Sequence, residues 1–357
     1  MKHCLHRLNP HPTRKDDRLL NNTKLIGIDL GTANTVIYSV GKGIVLREPS
    51  VVAYEKGSSR LLSTGRAAKE MLGRTSKEVS ALYPLRDGVI AHYEFCTEML
   101  SDYLKRSLGT FPGLRPRAIV CIPHGVTEVE RNAVIDSVIE AGAGGVILVE
   151  ETLCAAIGAC LPVLQPRGSL IVDIGGGTTE IAVISKGGIA TWGSSKIAGS
   201  RFNREIIAYI KREFNVLIGE ATAEEMKIKI GSAHKSFDKS ALDVKGRNMR
   251  DGKAAEFTVY SSEVREALRE SLTLLFEDIR SVLDGTAPEL CSDIYDSGIT
   301  LCGGGASLAG LPELLAELSS LPVTLAVSPS DCVINGIARL CEDEKLQESV
   351  RGLVLHR

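Results

Sequence analysis

Short apolar runs, small-residue turns and longer amphipathic stretches succeed one another along the chain. The first apolar run, Lys24-Leu25-Ile26-Gly27-Ile28-Asp29, ends on a carboxylate, passes through the turn Leu30-Gly31-Thr32-Ala33-Asn34 and returns as Thr35-Val36-Ile37-Tyr38-Ser39-Val40. This pattern predicts a β-hairpin with a small-residue loop. The same order recurs at Ser169-Leu170-Ile171-Val172-Asp173, Ile174-Gly175-Gly176-Gly177-Thr178-Thr179 and Glu180-Ile181-Ala182-Val183-Ile184-Ser185. A strand ending in Asp, a Gly/Thr loop and a returning strand, present twice, imply two related lobes.

Between the two copies, Arg117-Ala118-Ile119-Val120-Cys121-Ile122-Pro123 reads as a strand, and 128–141 as a helix with Val129, Ala133, Val134 and Val138 at 3.6-residue spacing. A second strand, Gly145-Val146-Ile147-Leu148-Val149, follows and ends at Glu150 and Glu151. Strand, helix, strand is the grammar of a parallel α/β fold. After the second hairpin, helices are expected at about 202–214 and 222–230, the latter with Thr222 and Glu225 as a capping box and Gly231 as its stop. Residues 233–260 are polar and at first poor in strand signals, which suits a peripheral subdomain, whereas 262–283 place Val264, Leu268, Leu272, Leu275, Phe276, Ile279 and Val282 on one core-facing helical stripe. A last strand, Ile299-Thr300-Leu301-Cys302, feeds Gly303-Gly304-Gly305-Ala306.

Composition narrows the class. With 357 residues, 44% of them hydrophobic, the chain can bury a large core as two domains or one two-lobed unit. A net charge of -2 with interspersed signs gives no reason to expect nucleic acid as a partner. The nine cysteines lack any C-x-x-C pair and read as reduced thiols of a cytosolic protein. No segment approaches the roughly 18 consecutive apolar residues of a membrane span, and the N-terminus has no signal-peptide core, so a soluble or peripheral protein is expected. Residues 1–23 are polar, basic and Pro-containing: a flexible extension, or an arm that contacts a membrane or partner. The histidines are scattered, without the spacing of a transition-metal site.

Glycine loops after strands bring backbone N–H groups close to phosphate because no Cβ stands in the way. Three occur, at 31–35, 175–179 and 303–306. Taken singly, each reads as a tight turn; together, with Asp29 and Asp173 ending the preceding strands at the same offset, they suit a nucleotide with hydrated Mg²⁺. Neither a G-x-x-x-x-G-K-[ST] loop nor a helix-opening G-x-G-x-x-G is present. Glu150 and Glu151 fall at the C-terminal edge of a strand, where α/β sites gather. Glu224 and Lys227 share a helix face at i, i+3, either as a surface salt bridge or as part of a site.

These residues carry a family resemblance. Ile28-Asp29-Leu30-Gly31-Thr32-Ala33-Asn34-Thr35 is similar to the first phosphate loop of the MreB family, and Val172-Asp173-Ile174-Gly175-Gly176-Gly177-Thr178-Thr179-Glu180 to its second. Gly43-Ile44-Val45-Leu46-Arg47-Glu48-Pro49-Ser50-Val51-Val52, Arg86-Asp87-Gly88-Val89-Ile90-Ala91 and Ile218-Gly219-Glu220-Ala221-Thr222-Ala223-Glu224 resemble further segments in the expected order, covering roughly 25–340.

The resemblance implies the ATPase fold of actin and the heat-shock chaperones, in which two lobes with duplicated α/β cores close on ATP and Mg²⁺. It divides the chain into lobe I (24–165, small subdomain about 54–86), lobe II (166–340, small subdomain about 205–290) and a C-terminal tail, 341–357. On this likeness Gly31, Thr32, Ala33 and Asn34 grip the phosphates from one side and Gly175, Gly176, Gly177 and Thr178 from the other. Asp29 and Asp173 hold Mg²⁺ through water. Glu224, Lys227, Gly303, Gly304, Gly305 and Ala306 surround ribose and base. Glu151 orients the attacking water, supplemented by Thr178.

Beyond the site, the resemblance implies a slow ATPase that assembles with itself or a paralogue, peripheral at the cytoplasmic face of the inner membrane and acting with the cell-wall elongation machinery. Phe111 and Leu114, beside Arg115 and Arg117, are candidates for a membrane loop; the other reading is that they pack under a surface loop. The chain departs from the family pattern at Thr152, where Pro is usual, at Ser200 and Asn203, where acids are usual, and at Asn335-Gly336-Ile337-Ala338-Arg339, usually richer in Gly. A divergent paralogue is expected, with altered hydrolysis and preserved nucleotide binding. Three alternatives stay open: a nucleotide-dependent scaffold with little turnover, a small-molecule kinase of the same superfamily, for which no insertion clearly supplies a substrate pocket, and a chaperone ATPase, for which the expected β-rich domain does not follow.

Overall fold

The computed structural model describes residues 25–109, 115–350 and 354–356. The expected N-terminal extension and the membrane-loop candidates Phe111 and Leu114 lie outside the described residues.

Strand β1 (Leu25–Leu30) pairs antiparallel with β2 (Asn34–Ser39), and β2 with β3 (Gly43–Pro49). A separate sheet holds β4 (Val52–Glu55), β5 (Leu61–Thr64) and β6 (Val79–Leu82), with helix α1 (Gly65–Glu70) between the last two. The ribbon β7 (Leu85–Arg86) and β8 (Val89–Ile90) leads into α2 (Tyr93–Leu108). Then β9 (Arg117–Ile122), α3 (Glu128–Glu140), β10 (Gly145–Glu150) and α4 (Glu151–Gly158) complete the first lobe, β9 lying parallel to both β1 and β10.

The second lobe repeats this plan. Strands β11 (Ser169–Ile174), β12 (Thr179–Ser185) and β13 (Gly188–Ser195) form an antiparallel meander. A larger insertion follows: α5 (Gly199–Phe214), β14 (Val216–Leu217), α6 (Glu220–Ile230), the hairpin β15 (Ala241–Asn248) and β16 (Ala254–Tyr260), α7 (Ser261–Asp284) and α8 (Pro288–Ser297). Strand β17 (Ile299–Cys302) returns parallel to β11, and after α9 (Leu311–Ser319), β18 (Val323–Leu325) lies parallel to β17. The sheets therefore read β3-β2-β1-β9-β10 and β13-β12-β11-β17-β18, one topology used twice, as the repeated hairpin pattern predicts.

The parallel strands are apolar on both sides because both sides are covered. Ile26, Ile28, Ala118, Val120, Val146 and Leu148 pack with α2 and α3. Ile119, Ile147 and Val149 face the other way and share one core with Ile171, Ala182 and Ile184 of the second sheet. Between the two sheets lie α4 and α10 (Cys332–Glu342), so a single apolar layer joins the lobes. The two helices approach closely through glycines: a Cβ on Gly158 would collide with the carbonyl oxygen of Cys332, and one on Gly336 with that of Cys154. Arg339 Nη1 donates to the Ile157 carbonyl at 2.9 Å, placing a cation at the C-terminal end of α4.

Four local expectations change. Val129 is 78% exposed, and the inward positions of α3 are Val134, Ile135 and Val138; spacing defines a helical face, but neighbours decide how far along the helix that face is covered. Helix α6 starts at Glu220 with Gly219 as its N-cap, so Thr222 lies inside the helix and caps nothing, while Glu225 pairs with Lys229 at 2.6 Å. The extended Gly219 and the charge of Glu220 in the first turn suit the earlier start. The strand-poor reading of the segment beginning at 233 gives way, from 241 onward, to the β15–β16 hairpin. Residues 341–357, expected as a tail, continue α10 to Glu342, form α11 (Glu344–Ser349) and add β19 (Val354–His356) antiparallel to β10, covering an otherwise open sheet edge.

Gly336→Ala is expected to destabilise the protein by about 1–3 kcal/mol through overpacking at the α4–α10 contact, whereas Gly57→Ala, with open space around its Cβ position and no positive φ, costs less. Urea denaturation of the two variants checks this; equal midpoints would show that the helix pair adjusts freely.

Candidate functional site

β1 and β11 are central strands of their sheets, and each carries an aspartate one residue before its end, ahead of a small-residue loop. The first loop is braced from below: Ser50 Oγ donates to the Gly31 carbonyl at 2.6 Å and Ser50 N to the Ala33 carbonyl at 3.0 Å. The second is braced by the start of α5, where Gly199 N donates to the Gly175 carbonyl at 3.1 Å and Ser200 N to that of Gly176 at 2.8 Å. The loops face each other across the lobes. A Cβ on Gly176 would stand 2.6 Å from Ala33 Cβ, and one on Gly177 would stand 2.9 Å from Thr32 Oγ1. Glycine at these two positions is what permits the approach.

The third loop joins them. Gly303 has φ of +84°, and a side chain there would run into Asp173 Oδ1 and the Ile174 carbonyl. Gly305 lies against Ile174, Ala306 is buried, and Gly304 has open space where a Cβ would stand. From α6, Glu224 Oε2 accepts from Lys227 Nζ at 2.8 Å and from Asn203 Nδ2 at 2.6 Å, and Lys227 Nζ also donates to the Gly199 carbonyl at 3.2 Å. The salt-bridge reading and the site reading of this pair thus describe one network, anchored where α5 braces the second loop. Burial opposes the charge of Glu224, but Lys227 and Asn203 hold its carboxyl below the usual range.

The centre is strongly acidic. Burial pushes the Asp29 carboxyl up to about 6, restrained by the Cys121 thiol, which donates to Oδ1 at 3.5 Å, and by Arg47. Burial, then Asp29 and Glu180, raise Asp173 to about 7. Glu180 rises to about 7 through burial, although Ser194 Oγ donates to its Oε1 at 2.7 Å and the Thr178 side chain also bonds to it. Glu151, first residue of α4, is raised well above its ordinary value by burial and by Asp173, Asp29 and Glu180. Asp173 Oδ2 has no hydrogen-bond partner. Four buried carboxylates, with Asp29 and Glu180 raising Asp173 and all three raising Glu151, one with an orphaned oxygen, form an environment that fits a cation. No group of three His, Cys, Asp or Glu side chains among the described residues is arranged to ligate it directly, so Asp29 and Asp173 would hold it through water.

The structure thus gathers Asp29, residues 31–34, Glu151, Asp173, residues 175–178, Glu224, Lys227 and residues 303–306 around one cleft. Glu180, Cys121 and Asn203 are added by the fold. Glu180 stands opposite Asp173 across the β11–β12 ladder, and a lone carboxylate inside the apolar strand Thr179–Ser185 was the available signal for it. Asn203 explains one departure from the expected acids: its amide donates to Glu224, where a second carboxylate would repel it. Thr152 is buried with its hydroxyl unpaired, and nothing in the structure explains that choice.

The family model for MreB/Mbl protein matches residues 23–349. The chain belongs to the MreB/Mbl family. It is 47% identical to the cell shape-determining protein Mbl of Bacillus subtilis over 87% of this chain and 93% of that one. It is 46% identical to the cell shape-determining protein MreB of Escherichia coli over 89% and 93%. Among solved structures, MreB5 of Spiroplasma citri bound to AMPPNP superposes with a TM-score of 0.87 at 37% identity, covering 92% of this chain and 97% of that one. The same protein bound to ADP also gives 0.87, at 36% identity over 93% and 99%. The two-lobed actin-like fold is therefore that of the MreB/Mbl family, and the match extends past 340 into the segment expected as a tail.

The acid cluster gives a pH signature. The folded pKa values of Asp29, Asp173 and Glu180 lie above the ordinary carboxylate range, so the folded chain keeps protons that the unfolded chain releases. Stability from these groups is full below that range and is lost as pH rises through about 6 to 7. Asp173→Asn is expected to raise the melting temperature of the nucleotide-free protein by several degrees at pH 8 and to leave it nearly unchanged at about pH 4. A lower melting temperature at pH 8 would mean that the Asp173 charge stabilises the fold.

Proposed function

We propose that the protein binds ATP·Mg²⁺ between the two loops that follow Asp29 and Asp173, hydrolyses it slowly and polymerises into filaments at the cytoplasmic face of the membrane, helping to organise cell shape and wall synthesis. One observation carries the nucleotide reading: glycine loops from two duplicated lobes face each other beside buried carboxylates that fit a cation. The AMPPNP and ADP complexes of the similar MreB5 support it.

In this reading the N–H groups of residues 31–34 and 175–178 bind phosphate oxygens, and Glu224, Lys227 and the loop 303–306 receive ribose and base. Asp29 and Asp173 would hold Mg²⁺ through water, and the ion would supply neutralising charge at the phosphates. Glu151 orients the attacking water; burial and its neighbours make it a stronger base than a free carboxylate, and Thr178 assists from the facing loop. Wall and shape functions, and partners among further copies, a paralogue and the elongation machinery, rest on family membership. No helix among the described residues is long and apolar enough to cross a membrane, so contact with the bilayer would be peripheral, through Phe111 and Leu114.

Sedimentation with and without ATP·Mg²⁺ and liposomes, with phosphate release read in parallel, tests the proposal. Expected are nucleotide-dependent pelleting, slow phosphate release, and a loss of about 10²-fold in that release for Glu151→Ala with pelleting retained. Phe111→Ser with Leu114→Ser is expected to abolish co-sedimentation with liposomes alone. Pelleting without any phosphate release would favour the scaffold reading, and a protein that stays monomeric under every condition overturns the filament.

A further inference from the structure

Strand β13 is the edge of the second sheet, and alternate side chains on it share a face. Trp192 and Ser194 lie on one face, and Lys196 continues the period just past the strand's end. The Trp192 ring lies 4.6 Å from that of His124 in the first lobe, tilted by 53°. Ser194 holds Glu180, and Lys196 Nζ is 3.5 Å from Asp87 Oδ2, again in the first lobe. The last pair is largely solvent-exposed and adds little. Trp192 and His124 therefore make the substantial contact between this edge and the opposite lobe.

The turn carrying His124 is shaped for the indole. It follows β9, and a Cβ on Gly125 would stand only 2.6 Å from Trp192 Cη2. Behind the ring contact, His124 Nδ1 lies beside Glu150 Oε1 without hydrogen-bond geometry, an ion pair when the imidazole is protonated. Glu150 ends β10 opposite Ile122, the last residue of β9, and Glu151 follows it at the start of α4. One line of contacts runs from Trp192 through His124 and Glu150 to the backbone of Glu151. A second runs along β13 from Trp192 to Ser194 and Glu180.

We infer that Trp192 and His124 form a clasp across the cleft that sets the position of Glu151, so that both act as positioning residues for nucleotide turnover. The turnover part rests on the ATPase reading above; the clasp itself does not. A displacement of about 1 Å in a water-orienting group is enough to slow a reaction severely. Both side chains are partly exposed, so replacing them opens no core cavity.

Trp192 is the chain's one tryptophan, so its emission reports this contact alone. Emission is expected to be brighter in His124→Ala than in the wild type, because the imidazole no longer lies against the indole. Under single turnover, Trp192→Ala and His124→Ala should lower phosphate release by about fivefold to tenfold while changing affinity for a fluorescent ATP analogue by less than about twofold. Trp192→Phe, which keeps a ring against His124, should recover most of the rate. Equal emission in wild type and His124→Ala, release and affinity falling together, or a Phe variant as slow as the Ala variant would each overturn the clasp. If the wild type neither binds nor hydrolyses nucleotide, the ATPase reading fails, and the clasp stands or falls on the emission difference alone.

Discussion

Four carboxylates, Asp29, Glu151, Asp173 and Glu180, are brought together out of water where the two lobes meet; burial raises the proton affinity of all four, and their neighbours raise that of Asp173 and Glu151 further. Such a cluster is tolerated only with protons or a cation to offset it. The surrounding architecture is arranged about that requirement. Two central strands deliver the aspartates, thiols and hydroxyls from Cys121, Ser194 and Thr178 supply weak donors, and three glycine loops leave room for backbone N–H groups beside the charge.

Holding like charges together needs a scaffold that does not yield. The layer between the sheets provides it: α4 and α10 are close enough that glycine is required at Gly158 and Gly336, and the core around them draws residues from both sheets. Gly27 on β1 likewise leaves the space that Ile337 occupies. The segment 335–339 has its glycine at the position where the neighbouring helix demands it. Glu151 starts α4, so the rigid layer and the acidic centre share a helix.

The second lobe differs from the first chiefly in what is inserted. A small three-stranded sheet interrupts lobe I, whereas lobe II carries α5 to α8 with the β15–β16 hairpin. The larger insertion does two things for the cleft. The N-terminus of α5 braces the second loop, and α6 brings Glu224 and Lys227 to the same place through Asn203. An amide at 203 allows Oε2 of the carboxylate at 224 to accept from two donors, Asn203 and Lys227, which an acid at 203 would deny it.

The sequence by itself determined the duplicated hairpins, the parallel α/β grammar between them and the aspartates and glycines of the loops, because these signals are local: strand alternation, turn chemistry and a carboxylate at a fixed offset need no partner to be legible. The family resemblance supplied Glu151, Glu224 and Lys227, whose meaning depends on neighbours far away in the chain. Only the tertiary structure decided what lies between lobes. Glu180 joins the acid cluster because of ladder register; Thr222 loses its capping role because Gly219 starts the helix earlier; the last residues form α11 and β19 because β10 leaves an edge to be paired. His124 and Trp192 are 68 positions apart, and no periodicity links them. Their contact exists because two sheets, each specified locally, are fixed face to face by a shared core that no single segment encodes.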